Sequence, residues 1–159
     1  MITLQKAGIE DARTIHAMQV QAFQGLLEKY QDYATNPAAE PVEKILWRMR
    51  AEGSCYFFIL RDKEAIGAIR IVDNGAKCRV SPIYILPEYQ GRGYAQQAML
   101  LAEKLYPQAS LWELDTIQEE PRLCHLYEKL GYRRTGQTTQ IQPGMTIVYY
   151  EKTIINAKG

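Results

Sequence analysis

The chain has 159 residues, 47% of them hydrophobic, with 19 basic and 18 acidic side chains and a formal net charge of +1. That length and apolar share suit one globular domain with a substantial core, here residues 1–159. A balanced charge gives no reason to expect nucleic acid or an acidic membrane surface as a partner.

Ile2 to Leu4 reads as a short first strand, and no signal-peptide apolar core follows it. A helix is expected from about Ile9, where Ile15, Met18, Ala22 and Leu26 recur at helical spacing. Asn36-Pro37 and Glu40-Pro41 punctuate a loop. A second helix carries Val42, Ile45, Leu46 and Met49 and stops near Gly53. Cys55 to Leu60 is a buried strand, and a charged turn, Arg61 to Glu64, leads into a strand from Ala65 to Val72. Asn74-Gly75 signals a hairpin into the strand that ends at Pro87. A glycine-rich turn then opens a helix that Pro107 stops near Tyr106. Leu111 to Thr116 is the next strand. Pro121 fits the first turn of a further helix, and Gly131 fits its end. Two late strands, about Tyr132 to Thr138 and Met145 to Thr153, flank Gln142-Pro143-Gly144. The resulting order is βααβββαβαββ, without a run long and apolar enough for a membrane span. Cys55, Cys78 and Cys124 are odd in number and far apart, as expected of core thiols in a reducing compartment; a cytoplasmic location follows.

The most telling segment is Pro87-Glu88-Tyr89-Gln90-Gly91-Arg92-Gly93-Tyr94-Ala95. A strand that turns through glycines into a helix leaves several backbone N–H groups unpaired and aligned. With the positive end of the helix dipole behind them, they suit phosphate oxygens. Gly91 and Gly93 permit backbone angles and a close approach that a side chain would block, and Arg92 adds a mobile positive charge. The spacing matches neither a P-loop nor a dinucleotide fingerprint, which argues against a nucleotide-binding α/β domain.

Some thirty residues later, Leu126-Tyr127-Glu128-Lys129-Leu130-Gly131-Tyr132 closes a helix and starts a strand. Together the two segments resemble the GNAT (Gcn5-related N-acetyltransferase) family. Its acetyl-CoA signature, Arg/Gln-x-x-Gly-x-Gly/Ala, is filled by Gln90, Gly93 and Ala95. Its later helix ends as Leu-Tyr-Glu-Lys-Leu-Gly-Phe, matched here with Tyr132 for Phe. The resemblance implies an α/β fold, a mixed and mostly antiparallel sheet of about seven strands flanked by about four helices. That sheet splays between its fourth and fifth strands. It also implies acyl transfer from acetyl-CoA to a primary amine by direct attack in a ternary complex. No metal is expected, since His16 and His125 lack ligand spacing. No Ser or Cys shows a nucleophile signature.

By the same resemblance, Gln90, Gly91, Arg92, Gly93, Tyr94 and Ala95 hold the pyrophosphate, and Ile83, Tyr84 and Ile85 offer backbone groups to pantetheine. Tyr127 is the expected general acid, because a phenol is protonated at neutral pH and can donate to a thiolate. Glu113 and Asp115 alternate on one strand and share a face, so either is a candidate general base; Tyr84 and Glu88 are weaker ones. Glu120 stands where the family commonly has an asparagine that helps hold the cofactor, which puts that contact in doubt. A non-catalytic acetyl-CoA-binding sensor or interaction module is the rival reading. The acceptor, a small molecule or a peptide, is not legible, and a homodimer is an assembly the resemblance allows.

Overall fold

The computed structural model describes residues 1–155. Seven strands form one sheet: β1 (Ile2–Lys6), β2 (Ser54–Arg61), β3 (Glu64–Asp73), β4 (Lys77–Ile85), β5 (Leu111–Ile117), β6 (Arg133–Gln142) and β7 (Met145–Thr153). Four α-helices flank it: α1 (Ala12–Tyr30), α2 (Val42–Arg50), α3 (Tyr94–Leu105) and α4 (Pro121–Lys129). The spatial order is β1-β2-β3-β4-β5-β7-β6, antiparallel throughout except for the parallel β4–β5 pair. This is the fold class expected from the sequence. Several boundaries moved. The second helix ends at Arg50, before Gly53, and β6 runs on to Gln142, four residues beyond Thr138, because it keeps pairing with β7.

Alternation along the strands sorts the core into two layers. Phe57, Ile69 and Leu114 pack with Ala98 and Met99 of α3 and Cys124 and Tyr127 of α4. Tyr56 packs with Ile15 and Ile45, and Ala68 and Tyr84 pack with Met18, so α1 and α2 cover the opposite face.

Gly67 sets how closely β3 meets β4. A Cβ there would lie 2.1 Å from the Tyr84 carbonyl oxygen, so only glycine fits. Farther along, the register passes from Ile69↔Ile83 to Ile71↔Val80, which spends one extra residue on β4 around Ser81 and Pro82. Pro82 has no N–H to give the ladder, and such a bulge accommodates it; the Ser81–Pro82 peptide is cis.

The splay is where the site forms. β4 and β5 pair only at Lys77↔Leu111, Cys78↔Trp112 and Arg79↔Glu113. Beyond that rung the two strands run on side by side without pairing, which leaves Val80–Ile85 and Leu114–Ile117 as the walls of a gap.

Candidate active site

At the top of β4 the chain makes a short 3₁₀ turn, Pro87–Tyr89, and then passes through Gly91 and Gly93, each at φ 79°. Gly93 is the N-cap of α3 and no side chain caps it, so the amides of the first helical turn have no partner in the helix. Added Cβ atoms test what these glycines are for. One at Gly91 would meet nothing within 4 Å, and one at Gly93 only Gln96 Oε1 at 4.0 Å. The protein therefore leaves a cradle above the turn, open to a group the size of a phosphate. Gln90, Gly91, Gly93, Tyr94 and Ala95 line a cleft of ≈1320 Å³; the Arg92 side chain is exposed and lies outside that lining.

The edge of β4 supplies further polar groups. The Leu86 amide donates to the Ile66 carbonyl at 2.8 Å, so by alternation the backbone groups of Ile83 and Ile85 face away from β3, toward the gap. One of these is already engaged: Gln90 Nε2 donates to the Ile85 carbonyl at 2.8 Å. The Gln90 side chain thus braces the strand end while its backbone belongs to the turn. Tyr84 points the other way, burying its ring and donating its hydroxyl to the Ile15 carbonyl at 3.0 Å. Its side chain is a core group, and burial holds its phenol far above the ordinary value.

Tyr127 lines the cleft from the α4 side, its ring set edge-on to Tyr132 at 6.2 Å and tilted against Tyr150 at 6.4 Å. Among the described residues its hydroxyl has no hydrogen-bond partner. Burial raises its pKa well above 10, and the nearby charge of Asp115 raises it further. The phenol is therefore a proton donor at any ordinary pH.

The two candidate bases part company. Asp115 lines the cleft; Glu113 does not. Leu114 packs into the α3–α4 layer, so Asp115 emerges on the α1–α2 face. Asp115 and Tyr127 thus look into one gap from opposite sides of the sheet. Each acid is ion-paired to a cation of β4, Glu113 with Lys77 at 3.6 Å and Asp115 with Arg79.

Glu120 precedes α4 and is already occupied. Its carboxylate takes Lys29 Nζ and the Tyr30 hydroxyl, each at 2.5 Å. Burial pushes its pKa up, but those two hydrogen bonds outweigh it and hold the carboxyl below its ordinary value. The end of α1 is thereby tied across the cleft, and Gln142 Nε2 adds a bond to the Tyr30 carbonyl at 2.7 Å. Among the described residues, no three His, Cys, Asp or Glu side chains gather as a metal site, and no helix is long and apolar enough to cross a membrane.

The model of the acetyltransferase (GNAT) family matches residues 20–132. The chain belongs to the GNAT family. Solved structures carry the same fold. A ribosomal-protein-S18-alanine N-acetyltransferase from Escherichia coli superposes with TM-score 0.76 at 14% identity, over 99% of this chain and 96% of that one. A spermidine N-acetyltransferase from Vibrio cholerae, solved with CoA and spermine, gives 0.74 at 18% identity, over 96% and 95%. An acetyl transferase from Salmonella typhimurium, described as modifying the N-terminal serine of ribosomal protein L7/L12, gives 0.75 at 10% identity, over 97% and 95%. No curated protein sequence matches the chain.

Within this GNAT fold, sequence reasoning missed the ties made by Arg79, Lys29 and Tyr30. They belong to no motif, and their partners lie 36, 91 and 90 residues away. Which α1 residues wall the cleft, Ala22, Phe23 and Gly25 among them, is not readable from helical periodicity, which reports which face is apolar and not what it encloses.

Proposed function

We propose that the protein is an acetyl-CoA-dependent N-acetyltransferase that acetylates a primary amine by direct attack within a ternary complex. The observation that carries this reading is the convergence of three parts on one cleft: the open glycine cradle, the buried Tyr127 phenol and the Asp115 carboxylate. Acetyl-CoA, when bound, supplies an activated thioester. The amides at Gly91 to Ala95 would take its pyrophosphate, and the Ile83 and Ile85 backbone would pair with its pantetheine amides. Asp115, directly or through a water, would accept the proton that the acceptor ammonium must lose. As the new C–N bond forms and the C–S bond breaks, Tyr127 would give its proton to the departing thiolate. The second proton lost by the amine nitrogen would restore the phenol through solvent, and the first would leave Asp115 to water, so the products are the neutral amide, the CoA thiol and one released proton.

The neighbours above are described as acting on spermidine, on an alanine of ribosomal protein S18 and on the N-terminal serine of ribosomal protein L7/L12. Small and protein acceptors alike suit a cleft that mixes apolar walls with carboxylates. The ion pairing of Asp115 favours a second reading, a module that binds acetyl-CoA without transferring its acetyl group. Measuring thiol release from acetyl-CoA across a panel of amines separates the two. Binding without release for every amine overturns the enzyme in favour of the module.

A further inference from the structure

Gly25 is the one glycine in the 19 residues of α1, and glycine is the poorest helix former after proline. Two structural reasons usually excuse such a residue, and neither applies. Gly25 is not among the residues at positive φ, and a Cβ built on it would meet no atom within 4 Å. What lies in front of it is the cleft, which Gly25 lines together with Gln21, Ala22 and Lys29 from the same side of the helix. The C-terminal end of the helix is tied down beside this point. One turn later Lys29 and Tyr30 are both bonded to Glu120 at 2.5 Å, and Gln142 holds the Tyr30 carbonyl.

We propose that Gly25 is a specificity-determining residue. The space left by its missing side chain receives the body of the acceptor, so the cleft takes amines that carry a ring, a branch or a peptide chain beside α1. This face of the sheet is opposite the α3–α4 layer that carries the phosphate turn and Tyr127, so the acceptor and the donor approach the gap from different sides. The inference rests on the transferase reading above.

The test uses Gly25→Ala and Gly25→Leu in the full chain. Its probes are propylamine, benzylamine, phenethylamine, spermidine and a short peptide with a free N-terminus. Alanine should raise the melting temperature by about 2 to 4 °C through helix propensity alone. Acetyl-CoA affinity, read by calorimetry, should stay within about twofold for both variants. The KM for the bulky probes should rise about threefold with Ala and at least about tenfold with Leu, while that for propylamine moves less than about twofold. Turnover by the parent protein with a KM indifferent to residue 25 overturns this inference and leaves the transferase standing. If the parent releases no thiol with any probe, the transferase reading falls and takes the inference with it.

Discussion

Arg79 and Asp115 meet diagonally across the last rung that joins β4 to β5. Arg79 stands opposite Glu113 in the ladder, yet its guanidinium reaches the carboxylate two residues farther on. Lys77 repeats the offset, standing opposite Leu111 and pairing with Glu113 at 3.6 Å. Two diagonal ion pairs therefore fasten the two halves of the sheet where backbone pairing stops.

Both Arg79 and Asp115 are about one-third exposed, at 32% and 33%, and pairs of that kind contribute only about 0–1 kcal/mol to stability. The value of the pair lies in where it holds the carboxylate. Asp115→Asn is therefore expected to melt within about 2 °C of the parent while kcat falls about 10² to 10⁴-fold. Glu113→Gln, outside the cleft, should keep kcat within about threefold. Equal kcat losses in the two variants would remove Asp115 from its role.

Replacing Gly93 with valine forces a β-branched residue to φ 79° and fills the open space above the turn. Acetyl-CoA affinity should drop about tenfold or more, roughly 1.4 kcal/mol. Calorimetry on a folded Gly93→Val protein that returned the parent affinity would move the pyrophosphate elsewhere.

Tyr127→Phe keeps the ring that packs against Tyr132 and Tyr150 and deletes only the proton donor. Turnover should fall about 10² to 10⁴-fold with acetyl-CoA affinity nearly constant. Because burial and Asp115 raise the phenol, no alkaline loss of kcat below about pH 10 should come from this group. A Phe variant with parental kcat, in an assay limited by chemistry, would leave Tyr127 a packing residue.

Glu120 gives a stability prediction with a definite sign. Its folded pKa lies below the ordinary value of 4.5, so the stabilisation it carries is complete above that value and disappears as pH falls through the folded pKa. Glu120→Gln should melt below the parent at pH 7, and the gap should narrow as the pH falls below 4.5 and through the folded pKa. Melting curves showing the same gap at pH 3 and pH 7 would rule out the ionised carboxylate as its source.

Gly67→Ala probes the β3–β4 approach. A methyl group 2.1 Å from the Tyr84 carbonyl must push the strands apart, a strain expected to cost about 1–3 kcal/mol in urea denaturation. Parental stability would mean that the strands can slide without loss.

Much of the molecule is legible locally. The strand and helix order and the Gly91–Gly93 turn depend on short-range rules of periodicity, capping and glycine geometry, which act within a few residues of chain, whereas Tyr127 is singled out only by the family resemblance. Alternation even places Glu113 and Asp115 on one face. It cannot say which of them faces substrate, because that depends on where β4 and β5 stop pairing, a matter of two strands separated by α3. The ties from Lys29 and Tyr30 to Glu120, the pairing of Arg79 with Asp115 and the open space before Gly25 are likewise products of tertiary structure. Side chains brought together from distant parts of the chain leave no periodic trace, and empty space has no residue to mark it.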